Sequence, residues 1–201
     1  MTVRYVAFEG IDGAGKSTVC RRVADGLEAA GWRTMVVREP GGTDVGEALR
    51  SVLLDHPGHV DDWAEALLFA AARAQLVTEL VGPALAEGRT VLSDRSVYSS
   101  LAYQGGGRGL GIDLVRQVNE VGLRGVWPEV VVLLRLEPES GLEREDGADR
   151  ISSEGIALQQ RVAAAYDALA AEESERFVIV DARDPLDDVV EAVLAELERR
   201  W

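Results

Sequence analysis

The sequence predicts an α/β fold in which a five-stranded parallel sheet carries helices on both faces. Five short apolar runs, rich in β-branched residues, are typical of buried parallel strands and cover residues 3–8, 34–37, 90–92, 130–134 and 177–180. Helical patterns alternate with these runs over residues 17–30, 45–54, 61–86, 112–123, 155–171 and 185–200. This alternation is typical of a parallel sheet, which binds its ligands at the carboxyl ends of the strands.

The length and composition favour one domain of a cytoplasmic protein. A chain of 201 residues suffices for one hydrophobic core, so we predict a single domain over residues 1–201. No apolar run reaches the roughly 18 residues that a membrane helix needs, and the first strand begins too early for an export signal. The single cysteine, Cys20, is compatible with a reducing compartment.

The charge of the chain excludes some classes of partner. The formal net charge of −14 disfavours nonspecific binding to nucleic acid or to an anionic membrane, because both would be repelled. A nucleotide substrate would therefore need a local cluster of cations. Among the 21 basic residues the only lysine is Lys16, and it lies within a phosphate-binding motif.

This motif lies between the first predicted strand and the first predicted helix and predicts a P-loop NTPase fold. Its glycines let backbone N–H groups turn toward phosphate oxygens, and the helix adds the positive end of its dipole. Lys16 is expected at the surface, reaching the β- and γ-phosphates of ATP, and Ser17 is expected to bind Mg²⁺. The predicted ATP-binding residues of the segment are Gly10, Gly13, Ala14, Gly15, Lys16, Ser17 and Thr18.

A second metal ligand is predicted after the third strand. Asp94 stands at the carboxyl end of this strand, beside the P-loop, where a carboxylate can hold Mg²⁺ directly or through water. On its own, the pair Asp94-Arg95 would fit an exposed ion pair at a helix start better than a metal site. The P-loop motif makes the metal-binding role the better interpretation.

Four further segments, taken with the P-loop, resemble the bacterial thymidylate kinase family. They are Arg38-Glu39-Pro40-Gly41-Gly42-Thr43, Leu68-Phe69-Ala70-Ala71-Ala72-Arg73, Asp94-Arg95 and Ser99-Ser100-Leu101-Ala102-Tyr103-Gln104-Gly105. The segments follow the order of the family over nearly the whole chain. The resemblance implies transfer of the γ-phosphoryl group of ATP to dTMP, giving dTDP and ADP, with Mg²⁺ as cofactor. It also implies a homodimer, to which the apolar helix over residues 61–86 would contribute.

The resemblance further implies which residues contact the base and the sugar of the acceptor. Phe69 would stack on thymine and Arg73 would bond its carbonyl group. These two residues stand four apart, so one helix face can present both. Ser100, Tyr103 and Gln104 would lie around the base and the deoxyribose, with Tyr103 in the place of a ribose 2′-hydroxyl. Without the resemblance, a core position for Phe69 and a solvated one for Arg73 are equally good interpretations.

The acceptor phosphate and the 3′-hydroxyl are assigned in the same way. The resemblance implies that Arg50 and Arg95 hold the phosphate, a task that suits the bidentate geometry of guanidinium groups. It places Asp12 near the 3′-hydroxyl. The predicted catalytic residues are therefore Lys16, Arg95 and Asp12, joined by one residue of the lid.

The predicted lid over residues 142–150 differs most from the sequences of the family. Ser96 and Arg135 also differ from the residues that are common in the family at these positions. The lid holds four acidic residues and only two basic ones, Arg144 and Arg150. We predict that Arg150 contacts the transferred phosphoryl group and that Arg144 binds ATP. Residues 104–111 and 143–147 are expected to be mobile. Two alternatives stay open: a kinase for another deoxynucleoside or modified pyrimidine monophosphate, and a nucleotide-binding pseudo-enzyme with an inactive acidic lid.

Overall fold

The five strands form one parallel sheet in a computed structural model that describes residues 4–144, 150–151 and 154–201. The order across the sheet is β2-β3-β1-β4-β5, and every neighbouring pair is parallel. The predicted strands are therefore confirmed; the carboxyl end of β3 lies two residues further than predicted and that of each other strand one residue further. Their bounds are β1 Tyr5–Glu9, β2 Thr34–Arg38, β3 Thr90–Asp94, β4 Val130–Arg135 and β5 Phe177–Asp181.

Helical segments connect the strands, and short polar side chains start several of them. Thr43, Asp61 and Ser96 each accept a hydrogen bond from a backbone N–H of the helix that follows. The helices are α1 Lys16–Ala29, α2 Asp44–Asp55, α3 Asp62–Leu76, α4 Gly82–Ala86, α5 Val97–Ser100, α6 Ile112–Leu123, α7 Pro138–Arg144, α8 Ile156–Glu172 and α9 Leu186–Arg200, with π-helical turns at Val77–Val81 and Leu101–Gly107.

The burial of the central strands shows that both faces of the sheet are covered. All residues of β1 are buried, as are Val130–Leu134 of β4, whereas the edge strands β2 and β5 are partly exposed. Successive side chains of a strand point to opposite faces, so a strand that is buried throughout needs cover on both sides. This observation confirms the predicted α/β layers.

The predicted helix over residues 61–86 is divided in the structure. It consists of α3, a π-helical turn at Val77–Val81 and α4. Pro83 explains the interruption, because proline lacks an N–H and its ring crowds the carbonyl group of the residue four positions earlier, here Glu79. No helix within the described ranges is long and apolar enough to cross a membrane.

The glycine-rich stretch also differs from its prediction as a mobile segment. Residues 104–107 of this stretch belong to the buried π-helical turn Leu101–Gly107, which packs against α8. A Cβ atom on Gly106 would lie 2.4 Å from Cβ of Ala165. The glycines therefore allow close packing of two helical segments. Of the other predicted mobile segment, residues 145–147 lie outside the described residues.

The carboxyl ends of three neighbouring strands meet and create the site. Asp94 at the end of β3 is in register with Phe8 of β1 and with Arg38 of β2. Beyond these pairs, Glu39 N–H donates to the Asp94 carbonyl (2.9 Å) and Arg95 N–H donates to the Phe8 carbonyl (3.0 Å). The segments after β1, β2 and β3 are therefore held side by side.

Candidate active site

The P-loop connects β1 to α1 through three glycines with positive φ angles. Gly10, Gly13 and Gly15 have φ angles of 140°, 76° and 83°, which residues with a Cβ atom rarely adopt. Gly15 precedes α1, and none of the described side chains caps the helix at this end. The positive end of the helix dipole is thus available to an anion within the loop.

Lys16 is buried, which corrects the expectation of a surface lysine. Its side chain turns back into the P-loop, where Nζ donates to the Ile11 carbonyl (2.7 Å). Burial and then the nearby charge of Arg95 lower the pKa of Lys16 to about 8, against the opposite effect of Asp12. A phosphate group would supply the anionic partner that favours the charged ammonium group.

The two predicted metal ligands lie together. The Ser17 hydroxyl donates to Oδ2 of Asp94 (2.5 Å), so an oxygen from the start of α1 meets one from the end of β3. Mg²⁺ prefers oxygen ligands and keeps several of its waters. One hydroxyl and one carboxylate beside a phosphate-binding loop fit that preference.

A cavity beside the P-loop gathers six of the eight predicted acceptor residues. The residues come from the P-loop, from α2 and α3, and from the segment after β3. The predicted residues in its wall are Asp12, Arg50, Phe69, Arg95, Tyr103 and Gln104. Glu39, Pro40, Leu54, Ser99 and Ile151 complete it.

Asp12 joins this cavity to the P-loop through a dense set of hydrogen bonds. Its carboxylate accepts from Arg95, from the Tyr103 hydroxyl (3.0 Å) and from Nε2 of Gln159 (2.8 Å). The Arg95 guanidinium also lies over the Tyr103 ring, 5.1 Å from its centroid. Burial alone would raise the pKa of Asp12, but Arg95 and Lys16 outweigh it and hold the pKa below its usual value.

Gln159 has no predicted role, although a signal for it is present in the sequence. It lies on α8 and is 2% exposed, on the same buried face of the helix as Val162 and Tyr166. A polar residue at a core position of a helix requires a partner. That partner is the Asp12 carboxylate.

The other two predicted acceptor residues, Arg73 and Ser100, do not line the cavity but lie beneath it. Arg73 is 2% exposed, and Nη2 donates to the Ser100 hydroxyl (3.1 Å). Its Nε donates to Oε2 of Glu39 (2.7 Å), and Nη1 donates to Asn119. Arg73 therefore organises the floor of the cavity.

Glu39 contributes a buried carboxylate to this floor. Its Oε1 atom is buried without a hydrogen-bond partner among the described residues. Burial raises the pKa of Glu39 to about 7, although Arg73 opposes the change. The sequence assigns Glu39 no contact, because a carboxylate next to proline in a loop carries no pattern of its own.

Arg150, predicted to contact the transferred phosphoryl group, bonds α2 and α3 on the acceptor side. Its Nε donates to the Leu53 carbonyl (2.8 Å) and its Nη2 to Oε2 of Glu65 (2.5 Å). The buried carboxylate of Glu65 on α3 draws the guanidinium to the acceptor side, which the charge pattern of the lid did not reveal. Residues 145–149 of the predicted lid lie outside the described residues.

Arg144 lies on the other side of the P-loop, at the end of α7. Its Nη1 donates to the Ala182 carbonyl (2.9 Å), just after β5. The same helix touches the P-loop backbone, because a Cβ atom on Gly13 would lie 2.2 Å from the Gly141 carbonyl oxygen. α7 is thus placed beside the loop predicted to bind ATP.

Comparison with known proteins identifies the family. The family model described as thymidylate kinase matches residues 8–193. A thymidylate kinase of Bacillus pumilus is 44% identical over 98% of this chain and 96% of its own length. Those of Lactobacillus helveticus and Desulfovibrio desulfuricans are 43% and 44% identical over 98% of the chain and 96% and 97% of their own lengths. With the P-loop, the paired Ser17 and Asp94 and the acceptor cavity in place, these matches confirm the resemblance: the chain belongs to the thymidylate kinase family.

Proposed function

We propose that this enzyme transfers the γ-phosphoryl group of ATP, bound with Mg²⁺, to the phosphate of dTMP. Phosphorylation of dTMP to dTDP is the activity of its family and follows from near-complete coverage by thymidylate kinases. The structural observation that best supports transfer between the two nucleotides is the position of Asp12. It belongs to the P-loop and also lines the acceptor cavity, so the sites for the two nucleotides adjoin.

Catalysis depends on position and charge in this proposal, with no covalent intermediate and no required side-chain base. Lys16 would exchange the Ile11 carbonyl for a phosphate oxygen of ATP, and Arg95 and Arg50 would hold the phosphate of dTMP. Tyr103 and Asp12 keep Arg95 in place through the contacts described above. These cations would offset the charge that develops on the transferred group.

Ser17 and Asp94 are the residues that would hold Mg²⁺, as the fit of their oxygens indicates. When bound, the ion would neutralise phosphate charge and orient the donor. On the donor side, Arg144 would contact the adenine or a donor phosphate, since its planar guanidinium can stack as well as donate. The contact between α7 and the P-loop supports this placement.

A homodimer is the proposed assembly, supported by an apolar surface on three adjacent helices. α2, α3 and α6 pack side by side and expose large apolar residues. These are Val45, Val52, Leu67, Leu114 and Val121. We further propose a single domain and a cytoplasmic location, where ATP and dTMP are available. Sedimentation of the purified protein at the mass of two chains is expected, and a monomer at micromolar concentration would contradict the dimer.

The test is an ADP-release assay over a panel of nucleoside monophosphates with ATP and Mg²⁺. The proposal expects dTMP to give the highest kcat/KM. A better substrate among the other deoxynucleoside or modified pyrimidine monophosphates would support the first alternative. ATP binding without turnover on any of them would support the pseudo-enzyme.

A further inference from the structure

Glu65 on α3 presents a buried carboxylate whose two oxygens are both hydrogen-bonded. Its Oε1 accepts from Nε2 of Gln104 (2.9 Å) and from Nε of Arg108 (3.1 Å). Its Oε2 accepts from Nη2 of Arg108 (3.0 Å) and from Nη2 of Arg150 (2.5 Å). The residue is 0% exposed. Glu65 therefore accepts four hydrogen bonds, one of which comes from Gln104, a residue of the acceptor cavity.

The surroundings of Glu65 keep its carboxyl group ionised. Burial would raise its pKa, but the hydrogen bonds from Arg108, Gln104 and Arg150 outweigh this effect and leave the pKa below its usual value. An ionised carboxylate only accepts hydrogen bonds. Whatever part of Gln104 faces Glu65 must therefore be a donor.

This requirement fixes the amide of Gln104. The side-chain amide has one acceptor end, Oε1, and one donor end, Nε2, with two N–H groups. Rotating the amide by 180° would set its oxygen against a carboxylate oxygen with no proton between them. Gln104 must therefore keep Nε2 toward Glu65. In the described ranges no residue donates to its Oε1, and Gln104 lines the same cavity as Phe69.

We propose that Glu65 is a specificity-determining residue that selects the acceptor base by fixing the orientation of Gln104. The fixed amide offers the base an acceptor, Oε1, beside a donor, the second N–H of Nε2. Thymine and uracil present the complementary pair, N3–H beside a carbonyl oxygen. Cytosine presents N3 as an acceptor beside an amino group, so like groups would face each other. The inference rests on the proposed function and adds to it a residue that contacts no substrate.

The experiment compares kcat/KM for dTMP, dUMP and dCMP in the wild type and in Glu65→Gln. A neutral Gln side chain at position 65 can donate as well as accept, so the amide of Gln104 is free to turn. The preference for dTMP over dCMP is expected to fall by about 10- to 100-fold. The preference for dTMP over dUMP should stay within about twofold, because both bases carry N3–H. Where turnover of dCMP is too slow to measure, its Ki against dTMP replaces kcat/KM.

Two further variants separate this positioning role from a general effect on folding. Asp62→Asn removes another partner of Arg108, at 3.5 Å, without touching Gln104, and should leave both preferences unchanged. In Gln104→Met the amide is absent, so adding Glu65→Gln should change the preference for dTMP over dCMP no further. If Glu65→Gln does not fold by circular dichroism, Glu65→Asp replaces it. The shorter Asp side chain keeps the charge but draws it away from Gln104.

An unchanged preference for dTMP over dCMP in folded Glu65→Gln would overturn the inference, as would an equal loss with all three substrates. An additional effect of Glu65→Gln in the Gln104→Met background would also overturn it. Failure of the wild type to phosphorylate any monophosphate is a different result, which contradicts the proposed function itself.

Discussion

Replacing Glu39 by glutamine should remove a specific pH dependence from the stability of the protein. Glu39 and Arg73 form an ion pair with side chains only 4% and 2% exposed, so solvent screens it little. Burial raises the pKa of Glu39 from 4.5 to about 7, and the nearby Glu9 adds to the increase against the effect of Arg73. Gln at this position keeps the shape of the side chain but does not titrate.

The size of the effect follows from that difference in pKa. Below pH 4.5 the Glu39 carboxyl is protonated in both states, and above about pH 7 it is ionised in both. Between these limits the folded protein binds one proton more than the unfolded chain, so the free energy of unfolding falls as the pH rises. The slope is about 1.4 kcal/mol per pH unit, and the whole window amounts to roughly 3 kcal/mol.

Urea unfolding of the wild type and Glu39→Gln from pH 4.5 to 8 measures this term. Other titrating groups are common to both proteins and cancel in the difference between their free energies of unfolding. That difference should shift by about 3 kcal/mol in favour of Glu39→Gln across the window. Glu129→Gln, at the exposed pair with Arg4, is the matched control and should run parallel to the wild type. If the free energies of unfolding of Glu39→Gln and the wild type also run parallel across this pH range, the raised pKa of the buried Glu39 carboxyl is refuted.

Four variants test the active site itself. Lys16→Ala should lower kcat/KM by more than about 100-fold, and normal turnover would rule out its contact with ATP phosphate. Tyr103→Ala should reduce the ratio of kcat/KM for dTMP to that for its ribonucleotide counterpart; discrimination of this kind amounts to roughly 1 to 3 kcal/mol. An unchanged ratio would mean that Tyr103 contributes only to packing. Gly141→Ala places a Cβ atom 2.5 Å from the Asp12 carbonyl oxygen and should raise the KM for ATP, unlike Ser140→Ala in the same helix. Arg150→Ala should raise the KM for dTMP more than the KM for ATP, because Arg150 donates hydrogen bonds to Leu53 and Glu65 on the acceptor side. A fall in kcat with both KM values unchanged would instead indicate that Arg150 contacts the transferred phosphoryl group.

The architecture could be predicted from the sequence because local patterns determine it. Apolar runs predict all five strands, and glycine spacing predicts the P-loop. The division of the helix before Pro83 is not predicted, since the apolar pattern continues through the π-helical turn Val77–Val81. The glycines over residues 104–111 predict a mobile loop, but glycine also allows close packing, and Gly106 and Gly107 pack closely against α8.

The candidate site was predictable where a motif carries the residue. Its polar partners were not. Glu39, Glu65 and Gln159 belong to separate segments, and each acquires its role from a residue between 34 and 147 positions away. The spacing of Glu65, Phe69 and Arg73 by four was an available signal, since it sets a carboxylate on the same helix face as two predicted acceptor residues. Such pairings depend on tertiary structure, which local patterns do not contain.

The most direct measurement of the central claim follows the transferred group. ATP labelled with ¹⁸O in its γ-phosphoryl group is incubated with the enzyme, dTMP and Mg²⁺, and the products are analysed by mass spectrometry. The account predicts that the label appears in the terminal phosphoryl group of dTDP, in step with ADP formation and only when dTMP is present. Label that appears in inorganic phosphate, with dTMP unchanged, would contradict it.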